Sequence, residues 1–256
     1  MYICLLCLGI CGRTGSGKSS LLLTLLRLNF LLAGDIFLDQ INLTKIDVEV
    51  ARKLITLIPQ EPYLFSGTLR YNLDPFSIYT DEQILDALEQ AHIASVLHRN
   101  NSNYNTGDAS IGQTAALHTL SPAELKANLS FEVEEHGDNF SIGEKQLISL
   151  SRAILNHSKV ILMDEVTANI DYVTDELIQN TLRTSPALRT CTIITIAHRL
   201  RTIADYDRII VMEKGKVVED STPKVLLETE GSLFRKLAEQ SGELEEIKKI
   251  AERLHH

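Results

Sequence analysis

The sequence predicts an α/β fold around a mostly parallel central sheet, and three observations carry that reading. Residues 3–10 form an unbroken apolar run, followed by a glycine-rich stretch and then by leucines across 21–28. That order reads as strand, loop, helix. Residues 160–163 are a short apolar run that ends in Asp164-Glu165, and residues 192–197 are another that ends at His198. Short runs of this kind suit strands of a parallel sheet, which is covered on both faces. Ligands of such sheets gather beyond the carboxyl ends of the strands. Lys18, Asp164 and His198 each follow a strand, so the fold class directs them toward one site.

In chain order, residues 3–10 give the first strand and 21–28 a helix buried on most faces. Residues 34–38 and 54–58 are β-like. The second run stops at Pro59-Gln60-Glu61-Pro62, where two prolines break any regular element. Residues 80–98 read as a helix, with Ile84, Leu85, Leu88, Ala91 and His92 on one stripe. The Asn-, Ser-, Thr- and Gly-rich stretch after it reads as a surface loop or a disordered insertion. Leu147, Leu150 and Ile154 predict a helix over 147–155. Residues 208–219 read as a hairpin around Lys214-Gly215. Residues 243–254 put Leu244, Ile247, Ile250 and Leu254 on one face. They read as an exposed amphipathic helix, since a coiled coil needs more heptads.

Composition narrows the function. The 256 residues are 44% hydrophobic, enough for one sizeable domain with room for a subdomain. A net charge of -9 without a long basic run argues against nucleic acid as a partner. The longest uncharged apolar stretch, the first eleven residues, is too short to span a bilayer and lacks the basic start of a signal peptide. Of the four cysteines, Cys4 and Cys7 form a C-x-x-C, but the second pair of a zinc site is missing. An offset of three on a strand also points them to opposite faces. Cys4, Cys7, Cys11 and Cys191 read as ordinary buried thiols in a reducing compartment.

Gly12-Arg13-Thr14-Gly15-Ser16-Gly17-Lys18-Ser19 fits G-x-x-x-x-G-K-[ST], in the strand–loop–helix context that this motif needs. A helix N-terminus has unpaired N–H groups and a partial positive charge, and glycines let several N–H groups converge on one phosphate chain. Lys18 adds charge for the outer phosphates, and the Ser19 hydroxyl can ligate Mg²⁺. The chain is therefore expected to bind a nucleoside triphosphate. Asp164 can hold Mg²⁺ directly or through water. Glu165 can orient or deprotonate a water, and His198 can hydrogen-bond a γ-phosphate. An acid pair at a strand end can be a mere helix cap, and a lone histidine is more often structural; the phosphate loop upstream favours the chemical reading. Gln60, on its proline-bounded loop, can ligate Mg²⁺ or sense the γ-phosphate. Ser141-x-x-Glu144 is a capping box, and the same helix start can offer a hydroxyl and N–H groups to phosphate.

Together these motifs resemble an ATP-binding cassette, the nucleotide-binding domain of ABC transporters. Residues 12–19 match Walker A, Gln60 the Q-loop, and Phe140-Ser141-Ile142-Gly143-Glu144 the signature motif. Residues 160–164 match Walker B, with Glu165 as the catalytic glutamate. Ala168-Asn169-Ile170-Asp171 matches the D-loop, and Ile196-Ala197-His198-Arg199 the switch histidine. Residues 59–76 and 192–220 resemble the C subfamily, the multidrug-resistance-associated type. Intact Glu165 resembles its second cassette, and Glu144 resembles members of the oligomycin-resistance type.

The resemblance implies a P-loop NTPase fold over residues 1–240, with a helical subdomain at about 74–157 that carries the signature, and a C-terminal helix at 241–256. It implies ATP and Mg²⁺ as ligands and an ATPase activity that powers export. Lys18, Gln60, Glu165 and His198 are then catalytic. Residues Gly12 to Ser20, with Ser141 and Gly143, contact nucleotide, and Ser19, Gln60 and Asp164 hold the metal. The implied partners are a second cassette, stacked head to tail around two ATP molecules, and membrane-spanning domains absent from this chain. Those domains would hold the cassette at the cytoplasmic face of a membrane. Three departures stand out. The family has two strands and an adenine-stacking aromatic residue ahead of Walker A, whereas eleven residues precede Gly12 here and Tyr2 is too close to Lys18. The chain thus reads as N-terminally truncated. Residues at about 99–127 read as an insertion, and Glu144 replaces the usual Gln. Two alternatives stay open: a soluble, non-transporter ATPase of the same family, or a truncated cassette that binds nucleotide weakly without turnover.

Overall fold

The computed structural model describes residues 6–93, 128–166 and 170–252. Among them the chain runs β1 (Leu6–Cys11), α1 (Lys18–Leu25), β2 (Phe37–Leu38), β3 (Ile41–Asn42), α2 (Val48–Lys53), β4 (Ile55–Ile58), β5 (Gly67–Thr68), α3 (Leu69–Leu73) and α4 (Asp81–Gln90). It continues with β6 (Glu132–Val133), α5 (Ile142–Asn156), β7 (Val160–Asp164), α6 (Tyr172–Thr184), β8 (Thr192–Ile196), β9 (Arg208–Glu213), β10 (Lys216–Ser221), α7 (Pro223–Glu228), α8 (Leu233–Ser241) and α9 (Leu244–Glu252). Two compact units divide it: Met1–Gln60 with Ser158–Ala168 and Arg189–His256, and Glu61–His157 with Asn169–Leu188. The expected insertion at about 99–127 lies outside the described residues, as do Tyr2, Cys4 and Ala168-Asn169 of the expected D-loop.

The first unit is a six-stranded sheet in the order β10-β9-β1-β8-β7-β4. Every neighbouring pair is parallel except β9 with β10, which is the expected hairpin. The expected α/β class with a mostly parallel sheet is what folds. Ile10, Leu22, Leu162 and Ile196 pack on one side of the sheet. Ile203, Ile209, Val211 and Phe234 pack on the other. Ile161 and Leu162 are fully buried, because β7 lies between β4 and β8 and is covered on both faces. The register pairs Ile10 with Ile196 and Ile196 with Asp164. The carboxyl ends of β1, β8 and β7 therefore stop level with one another.

Several local expectations are corrected. The helix after the glycine loop buries one face only: Leu22 and Leu26 are buried, whereas Leu23 and Leu28 are exposed. The 34–38 run shrinks to β2, which pairs with β3 in a small hairpin that the pattern did not announce. The tail helix is amphipathic but docked. Ile247 and Ala251 are buried in the same cluster as Phe234, so its apolar stripe closes a core. Cys11 and Cys191 are buried thiols and Cys7 is half-buried. Burial, with Glu219 nearby, pushes the Cys11 thiol up to about 12.

In the second unit, α4 and α5 pack together, and Ile84 and Leu88 of the one and Leu147, Ile148 and Leu150 of the other are buried. Both helices start on a capping box, at Thr80 with Gln83 and at Ser141 with Glu144. The helix predicted over 147–155 begins five residues earlier because of that cap. Asn72 bonds both backbone groups of Phe65, and its carbonyl accepts from the Arg152 guanidinium at 2.7 Å. Arg152 thus fastens the 63–72 segment to α5.

Candidate nucleotide site

The phosphate loop is built by close approach. At Gly12 the backbone adopts φ 146°, and a Cβ there would run into the Met212 carbonyl oxygen on β9. Gly17 sits at the N-cap of α1 with φ 99°, and no side chain caps the helix. The first N–H groups of α1 therefore lack the side-chain acceptor that most helix starts have. The Gly215 N–H donates to the Ser16 carbonyl at 2.9 Å, so the β9–β10 turn holds the loop from outside. Met212 and Gly215 are supports that sequence reasoning missed; only the turn glycine gave a signal.

Lys18 is buried, and its ammonium donates to the carbonyls of Gly12 at 3.0 Å and Arg13 at 3.2 Å. Ser16 is buried, and its hydroxyl has no hydrogen-bond partner. Arg13, Thr14, Gly15, Ser19 and Ser20 are exposed along the loop. An uncapped helix start, a buried cation and an orphaned hydroxyl on one glycine loop fit a polyphosphate.

Asp164 ends β7, and Glu165 follows in the left-handed region at φ 51°, with its N–H bonded to the Ile196 carbonyl on β8. A non-glycine residue held there stores backbone strain, of a kind that clusters at functional sites. Glu165 meets His198, whose Nε2 lies 2.5 Å from Glu165 Oε1. Burial, and then the Glu165 charge, raises the Asp164 carboxyl above its ordinary range; Lys18 and His198 pull it down. The Asp164 carboxyl therefore feels all three neighbours, at the ends of three adjacent strands. Gln60, exposed just past β4, belongs to the same unit. Among the described residues no cluster of three or more His, Cys, Asp or Glu could hold a metal by itself. A Mg²⁺ held by Ser19, Asp164 and Gln60 would need phosphate or water oxygens as well, which is its usual habit.

Ser141 and Gly143 stand in the second unit, at the start of α5. The Glu144 N–H donates to Ser141 Oγ at 3.3 Å, and the Ser141 N–H donates to Glu144 Oε2 at 2.7 Å. The expected box thus forms in full.

The ABC transporter family profile matches residues 6–168. The chain belongs to that family. This cassette is 44% identical, over 96% of its length, to ABC transporter 7 of Pyricularia oryzae. It is 42% identical over 93% to the oligomycin resistance ATP-dependent permease of Saccharomyces cerevisiae. It is 43% identical over 91% to the ATP-binding cassette sub-family C member 3 of Rattus norvegicus. The cassette spans 14 to 15% of the length of these relatives. Among solved structures it resembles a bacterial Atm1-family ABC exporter with ATP bound, with a TM-score of 0.74 and 26% identity, over 92% of this chain and 37% of that one. The C-subfamily, multidrug-resistance-associated resemblance holds, and nothing in these likenesses supports the soluble reading. Among the described residues no helix is long and apolar enough to cross a membrane.

Proposed function

We propose that this cassette binds and hydrolyses ATP to power export by a transporter of the multidrug-resistance-associated type. The observation that carries the reading is the Glu165–His198 pair beside Asp164, at the strand ends that adjoin the phosphate loop. The N–H groups of α1 and the Lys18 ammonium bind the phosphates and draw off their charge. His198 holds Glu165 Oε1, which leaves Oε2 to take a proton from an attacking water. Ser19, Asp164 and Gln60 would hold a Mg²⁺ ion, which when bound would supply positive charge for the developing phosphate oxygens.

The start of α5 serves a second nucleotide, in a partner cassette stacked head to tail. Ser141 offers its hydroxyl there. Membrane-spanning domains outside these 256 residues complete the transporter and hold the cassette at the cytoplasmic face. Intact Glu165 supports reading this cassette as resembling the second of the two more than the first. Residues 1–240 are assigned to the cassette proper and 241–256 to its closing helix.

The test is titration of the purified chain with a fluorescent ATP analogue, with and without Mg²⁺, alongside Lys18→Ala. Lys18→Ala is expected to weaken binding at least about tenfold, as loss of a charge-assisted contact does. Equal affinity in the two proteins would remove the phosphate-loop assignment.

A further inference from the structure

Gly143 is buried, although Ser141 and Ile142 just before it are exposed. Its φ is not among the positive ones, so its backbone conformation does not call for glycine. Glycine is also a poor residue inside a helix. What excludes a side chain is Thr174, in the first turn of α6. A Cβ on Gly143 would lie 2.7 Å from the Thr174 Cγ2 methyl, and 3.1 Å from both its Cβ and its Oγ1.

Thr174 cannot step aside cheaply. Its N–H donates to Asp171 Oδ1 at 3.0 Å, and its hydroxyl donates to Asp171 Oδ2 at 2.7 Å. The second bond fixes χ1 of a β-branched side chain, and with it the methyl that lies over Gly143. The first bond is the cap of α6. One threonine therefore joins the Asp171 cap to the turn that carries Ser141.

We infer that Thr174 is a positioning residue of the nucleotide site: it sets how closely the first turns of α5 and α6 approach, and Gly143 is a glycine to admit its methyl. The inference rests on the reading of the Ser141 turn as a phosphate contact. A movement at Asp171 would reach that turn directly through Thr174. The Asp171 carboxyl is held below its ordinary range by these same Thr174 bonds, in keeping with a cap that stays charged and engaged.

The test is a double-mutant cycle of Gly143→Ala and Thr174→Ser in the full chain. Thr174→Ser keeps both groups that bond Asp171 and deletes the methyl. Turnover and KM for MgATP are measured, and the unfolding midpoint is measured without nucleotide. Gly143→Ala alone is expected to lower kcat about tenfold or more, because a small misplacement of a contact turn is costly. In the Thr174→Ser background the same change should cost less than about threefold, with the lost stability recovered as well. Equal damage in both backgrounds would overturn the inference and leave Gly143 as a residue that faces phosphate. If the wild-type chain shows no turnover by itself, the cycle in unfolding midpoints still decides the contact: additive midpoints would refute it.

Discussion

Asp164 is where folding and chemistry pull in opposite directions. Its carboxyl titrates above the unfolded value of 3.8, chiefly because burial disfavours its charge. A raised folded pKa means that the native state binds more protons than the unfolded chain just above pH 3.8. Stability from this group is therefore full at low pH and falls as pH rises through the window that begins there. Half-exposure screens the effect, so it is small. Asp164→Asn should raise the unfolding midpoint at pH 7 by roughly 1–3 °C and abolish the Mg²⁺ dependence of nucleotide binding. Thermal scans without nucleotide, with ATP alone and with MgATP read both, and a lower midpoint without nucleotide would show that the carboxylate stabilises the fold. Gly12 gives the converse case. Gly12→Ala meets a backbone carbonyl at a positive φ, so it should cost ~2 kcal/mol or more in denaturant unfolding. A neutral result would mean that the loop has room to shift.

At the scale of elements, the start of α5 tests whether a departure from the family pattern matters. The capping box accepts Glu or Gln at its fourth position. Glu144→Gln keeps the bond to the Ser141 N–H, so it should change stability by less than about 0.5 kcal/mol and turnover by less than about threefold. Ser141→Ala removes the other half of the box and should cost ~1 kcal/mol. If Glu144→Gln costs as much as Ser141→Ala, the carboxylate has a role beyond the cap. This start was legible in the sequence because a cap is a local code of residue types at fixed spacing. The strands β7 and β8 were legible because burial on both faces leaves only apolar side chains. The β2–β3 hairpin was not, since two-residue strands are too short to show alternation. Nor was the Gly143–Thr174 contact, which joins residues far apart in sequence through one methyl group.

At the scale of the whole molecule, α9 was misjudged for a physical reason. An amphipathic stripe shows that a helix has an apolar face and says nothing of what lies against it. Here Ile247 is fully buried in the cluster that contains Phe234 and Ile203. Ile247→Ala should therefore cost ~2–5 kcal/mol, the range for a truncated core residue. An exposed helix would lose about 0.5 kcal/mol or less. The phosphate loop, Asp164, Glu165 and His198 were each legible as types in the right order. Their convergence needed the register, which ends β1, β7 and β8 at one level. The positive φ of Glu165, whose carboxylate meets His198, had no sequence signal at all. The account as a whole stands on this pair, and single-turnover ATP hydrolysis by wild type and Glu165→Gln, with binding measured in parallel, tests it most directly. Glu165→Gln should bind MgATP as the wild type does and hydrolyse it ~100- to 10,000-fold more slowly; hydrolysis within about threefold of wild type would contradict the account.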